Sequence, residues 1–138
     1  MATQENLILT PTAPGELIDK ITVLKIKEER ITDPARVANV KRELDMLMDT
    51  RIKNFPTDSA FAEKVTELEN RLKQSNEKIW DMSDQIREYG NKKDFGPEFI
   101  DVAYGIHLAN DERAAIKKEI NLLLGSSLIE EKSYKDWK

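Results

Sequence analysis

SAFAEKVTELENRLKQSNEKIWDMSDQIREY, residues 59–89, is the stretch whose periodicity decides the fold. Phe61, Val65, Leu68, Leu72, Ile79, Met82 and Ile86 recur in alternating steps of four and three, which is the seam of an amphipathic helix. Neither Gly nor Pro interrupts it, and at ~1.5 Å per residue it runs to roughly 46 Å. The remaining elements are expected to pack against this rod or against a second copy of it.

Working outward, NFPTD at 54–58 breaks the chain before the rod, with Asp58 or Ser59 available as cap, and Gly90 follows it as a left-handed terminator. Upstream, Pro14 takes a first-turn position and opens a helix over 14–31. Its main face is Leu17, Ile21, Leu24 and Ile31, with Ile18 beside it and Glu28 on the same face. Val23 and Ile26 make a second apolar strip, so this helix is expected to be contacted from two sides. Asp33-Pro34 stops and restarts the chain, and Val37, Val40, Leu44, Leu47 and Met48 carry a second helix over 33–53. Downstream, Pro97 and Gly125 bracket a last helix over 97–124 with an apolar face of Val102, Ile106, Ala109, Ile116, Ile120 and Leu123. Phe95 is expected to tuck inward from the loop before it. Gly105 within that helix costs about 1 kcal/mol relative to Ala and points to close approach by a helix or a ligand. Residues 1–13 read as a short extended arm, and 126–138 as a charged tail with Leu128, Ile129, Tyr134 and Trp137 available to dock it. The pattern predicts one all-α domain, an antiparallel bundle of four helices with one long helix. Unequal helix lengths leave seam uncovered, which predicts a homodimer.

Composition narrows the function. The chain has 138 residues, no cysteine and one histidine, which excludes thiolate metal sites, Cys nucleophiles and His-cluster metal sites. A net charge of -4 lacks the basic footprint of non-specific nucleic-acid binding. No apolar run approaches ~18 residues, so no membrane span is predicted. MATQENLILT has neither the basic start nor the apolar core of a secretory signal, so a cytoplasmic location is expected.

Three polar features could carry chemistry. Glu77, Asp81, Asp84 and Glu88 form an acidic stripe on the long helix, where like charges repel by a few tenths of a kcal/mol per pair unless a cation such as magnesium bridges them. The stripe points away from the seam, which is also where a solvated face belongs. Glu16 with Asp19, Asp81 with Asp84, and Glu98 with Asp101 are carboxylate pairs three apart. Chance alone gives about five such pairs at this acid content, and first-turn acids also suit a helix dipole. The third feature is sharper: Glu28, Ser75 and Arg113 occupy positions the periodicity assigns to the core. Buried charges need partners, so Glu28 and Arg113 are candidates for each other, with Asn76 and Asn110 flanking. The plain alternative is an ion pair that sets helix register. The functional one is a polar pocket in which Arg113 receives a phosphate or carboxylate. Trp80 reads as core edge or dimer contact, and His107, near Tyr104 and Asn110, as a surface or interface histidine rather than a catalytic one, since a general base needs a positioned partner.

PGELIDKITVLKIKEERI (14–31), NEKIWDMSDQIRE (76–88) and NDERAAIKKEINLLLGSSLIEEKSY (110–134) together resemble a small protein family of bacteria and their phages that carries a domain-of-unknown-function label. The resemblance covers nearly the whole chain after the arm. It implies a signature on Pro14, Gly15, Glu16, Asp19, Asn76, Trp80, Asp81, Asn110, Asp111, Glu112 and Arg113, and a setting near sugar-nucleotide or glycan-assembly chemistry. GELIDKITVLKIKEER also resembles the first helix of helical chorismate mutases, but the basic residues of such a site are not placed in the other helices.

The expected function is therefore a non-catalytic binding or assembly module requiring no cofactor, with Glu28, Asn76, Trp80, Asn110 and Arg113 as ligand-binding candidates. The alternative is a magnesium-dependent enzyme acting on a phosphorylated small molecule such as a nucleotide or sugar nucleotide. Glu16, Asp19, Asp81 and Asp84 would then hold the metal and Arg113 would clamp the phosphate.

Overall fold

The computed structural model describes residues 6–133 and residue 135. Four helices follow in order, α1 (Pro14–Arg30), α2 (Pro34–Asn54), α3 (Ser59–Asn91) and α4 (Pro97–Leu123), and no strand occurs among the described residues. The boundaries follow local chemistry. Asp33 accepts from the Arg36 amide at 3.1 Å and Pro34 takes the first turn of α2. Asp58 accepts from the Ala60 amide at 2.8 Å to start α3, and Gly125 leaves α4 at φ +67°.

Two local expectations are corrected. Helix α3 runs through Gly90 to Asn91, and the left-handed residue that turns the chain is Lys93 at φ 54°. Phe95 is 59% exposed rather than tucked inward, because its packing is satisfied edge-on by Phe99, with ring centroids 5.1 Å apart.

Although α3 is the longest element, α1 is the one against which all three others pack. Ile18, Ile21 and Leu24 of α1 meet Val40 and Leu44 of α2, Val65 and Leu72 of α3, and Ile116 and Ile120 of α4 in a single core. Ile26, on the second strip of α1, is buried as well. Helices α3 and α4 run antiparallel, since Arg71 pairs with Glu119 while Met82 lies against Gly105. A Cβ on Gly105 would meet the Met82 sulfur at 3.1 Å, so the close approach implied by that glycine is made by a helix.

The arm from residue 6 to 13 has no regular structure and leaves Ile8 and Leu9 in solvent. It lines one side of a broad groove with Leu47, Phe55 and Leu124, and Leu128 and Ile129 of the tail line the same groove. The expected docking of Tyr134 and Trp137 lies outside the described residues. No described helix is long and apolar enough to cross a membrane.

Candidate functional site

The centre of the site is a carboxylate in the core. Asp19, in the second turn of α1, is 4% exposed because that turn faces α3 and α4 at once. A buried carboxylate needs several donors. Asn76 of α3 donates to Asp19 Oδ1 at 2.9 Å, and Arg113 of α4 donates Nε to the same oxygen at 2.9 Å and Nη2 to Oδ2. The pair is the fork-to-fork arrangement that suits arginine and a carboxylate. The second amide hydrogen of Asn76 goes to Thr22 Oγ1 at 2.9 Å, and the Thr22 hydroxyl donates to the Asp19 carbonyl at 2.7 Å. Ser75, beside Asn76, donates to the Ala109 carbonyl at 3.2 Å and ties α3 to α4. No buried side-chain polar atom among the described residues lacks a partner.

One turn toward the start of α1 the network continues. Lys117 binds Glu16 at 2.6 Å and Glu130 of the tail at 3.3 Å, and Asn121 accepts from the Gly15 amide at 2.7 Å. Burial of Lys117 opposes its charge, but the hydrogen bond and charge of Glu16, the charge of Asp19 and the bond from Glu130 outweigh it. The ammonium is held above the ordinary lysine value. Arg113 is likewise raised, chiefly by its hydrogen bond to Asp19. Gly15 is required where it stands, since a Cβ there would lie 2.5 Å from the Lys117 carbonyl.

Beside this network a cleft of about 340 Å³ opens between α1, α3 and α4. Val23, Ile26, Ile79 and Trp80 make its apolar wall, and Asn76, Ser83, Asp84, Arg87 and Arg113 its polar one. Both amide hydrogens of Asn76 are engaged inside, on Asp19 and Thr22. Trp80 is held from α1 by Arg30, whose guanidinium carbon lies 5.8 Å from the ring centroid, and Arg30 is anchored in turn by Asp81.

Of the ligand-binding candidates, Asn76, Trp80 and Arg113 line this cleft. Asn110 stands behind, its Oδ1 at 3.5 Å from Arg113 Nη1. Glu28 is corrected: it is exposed and is not the partner of Arg113. It lies in the last turn of α1, where Glu28, Glu29 and Arg30 are all exposed. The four acids proposed for magnesium do not converge. Glu16 is bound to Lys117, Asp19 to Arg113 and Asp81 to Arg30, while Asp84 stands exposed at the cleft mouth. No group of three or more Asp, Glu or His side chains among the described residues is placed to hold a metal ion.

Sequence reasoning missed Thr22, Arg87, Lys117 and Asn121, and it missed a second charged cluster in which Glu69 of α3 binds Arg51 of α2 at 2.6 Å and Lys25 of α1 at 3.0 Å. Glu69 sits one residue beyond the seam position Leu68, and that offset was the available sign of it. Comparison with protein-family models, curated proteins and solved structures gives no match for this chain.

Proposed function

We propose that this protein is a non-catalytic binding module whose ligand, a small anionic molecule, sits in the cleft between α1, α3 and α4. The observation that carries the reading is Arg113. Asp19 takes its Nε and one Nη2 hydrogen, and Asn110 lies at the outer limit of hydrogen bonding from Nη1. At least two of its five N–H groups therefore remain, on a guanidinium that a buried carboxylate fixes in place and that lines an open cleft. A preorganised donor pair beside an apolar wall is the usual make-up of a small-molecule site.

The magnesium-dependent enzyme is the weaker reading, since three of its four acids already hold cationic side chains. A cytoplasmic homodimer belongs to the same proposal, as does membership of the bacterial and phage family. The seam residues Met82, Ile86 and Val102 are only partly covered, which supports a second copy packing there.

A thermal-shift screen against inorganic phosphate, nucleotides, nucleotide sugars, sugar phosphates, magnesium and manganese tests it. A ligand at 100 times its dissociation constant adds about 2.7 kcal/mol. A metal-independent shift that Arg113→Met removes supports the module. A shift that requires metal and phosphate together overturns it in favour of the enzyme.

A further inference from the structure

The two walls of the cleft define its ligand more narrowly. Resting on the reading above, we infer that the cleft takes a small ring-bearing anion, with a planar ring against Trp80 and a carboxylate or phosphate on the open end of Arg113. Trp80 is oriented from α1 by Arg30, which lies over the indole and pairs with Asp81. An indole oriented in this way offers ring contact at a lower entropy cost than a loose side chain. Ile26, just 1% exposed, closes the floor on the α1 side and favours an apolar body over a second charged group there.

At the far end Arg87 is directed back to the Ser83 carbonyl at 3.3 Å and shares the mouth with Asp84, so that end is close to charge-balanced. Asp19 balances the charge of Arg113 as well, so the anion is placed there by the uncommitted N–H groups of a held guanidinium, which fit one anionic group rather than two. A volume of about 340 Å³ lies at the lower edge of small-molecule sites and suits a ligand no larger than a mononucleotide.

The test uses a Trp137→Phe background, in which Trp80 is the sole tryptophan, and titrates phenyl phosphate, benzoate, inorganic phosphate and acetate by fluorescence and calorimetry. At least one ring compound is expected to change Trp80 emission and to bind about tenfold or more tighter than its ringless counterpart. A benzoate response identifies a carboxylate ligand and a phenyl phosphate response a phosphate, and either supports the inference. In Trp80→Leu the ring advantage is expected to disappear while anion binding persists. In Arg113→Met every titration is expected to weaken about tenfold or more. Should that variant fail to fold, Arg113→Lys keeps a charge for Asp19 but lacks the second edge, and is expected to show the same loss. Equal affinity with and without the ring, still dependent on Arg113, overturns the ring inference and leaves the anion-binding module standing. No saturable binding of any of the four overturns both.

Discussion

Asp19 and Arg113 lie 94 positions apart and meet side by side, the carboxylate accepting from both Nε and Nη2 of the guanidinium. The pair joins α1 to α4, and Asn76 on the same carboxylate oxygen brings in α3. Arg113 touches both the core and the cleft, so its removal acts on stability and on binding together.

Stability should report the pairing. Arg113→Met strands a buried carboxylate and is expected to cost about 3 kcal/mol, the lower end of what breaking a buried ion pair costs, because Arg113 itself is partly open to water. Asp19→Leu combined with Arg113→Met should recover part of that loss, the remainder reflecting the buried Asn76 amide that no longer has Asp19 as acceptor. Urea unfolding of the two singles and the double gives the coupling directly. Additive losses would show that the two side chains do not act as a pair.

Glu28→Leu is expected to change stability by no more than about 0.5 kcal/mol, as an exposed side chain should. The same urea series checks it. A loss of several kcal/mol would place Glu28 back in the core.

The punctuation of the fold was legible because it is local. Pro14, Asp33-Pro34, Asp58, Pro97 and Gly125 act within a turn of themselves, and each marks an observed boundary. Arg113 was legible as a polar intruder in an apolar seam. Its partner was not, since partner choice depends on how α1 is rotated between α3 and α4. Periodicity offered Glu28 on one face of α1 and read Asp19 as an acid favoured by the helix dipole or holding magnesium, whereas the fold turns Asp19 inward and leaves Glu28 in water. Lys117 and Asn121 were hidden for the same reason, because each finds its partner on α1, which is remote in sequence.

Two glycines should respond differently to alanine. At Gly15 the new Cβ meets the Lys117 backbone carbonyl, which cannot step aside, so a loss of about 1–3 kcal/mol is expected. At Gly105 it meets the flexible end of Met82, and the gain in helix propensity of up to about 1 kcal/mol should offset the crowding. Melting temperatures of Gly15→Ala and Gly105→Ala decide this. Equal losses would mean that the α3–α4 contact is as rigid as the α1–α4 one.

Lys117 sets the alkaline limit of its layer. Its folded pKa lies above the ordinary 10.5, so it contributes stability that is fully present below that value. That contribution fades as pH rises through the folded pKa and the ammonium bound to Glu16 and Glu130 loses its proton. Stability measured from pH 8 upward should therefore fall more steeply above about pH 10.5 in the natural chain than in Lys117→Met. Parallel profiles would remove Lys117 from the account.

The most direct test of the binding site is a nitrogen-15 NMR titration of the arginine side chains with inorganic phosphate at constant ionic strength. Arg51, bound to Glu69 away from the cleft, serves as the internal reference. A saturable shift of the Arg113 Nε–H is expected while Arg51 stays in place. Arg113 unmoved, or moving no more than Arg51, would contradict the claim that the cleft receives an anion there.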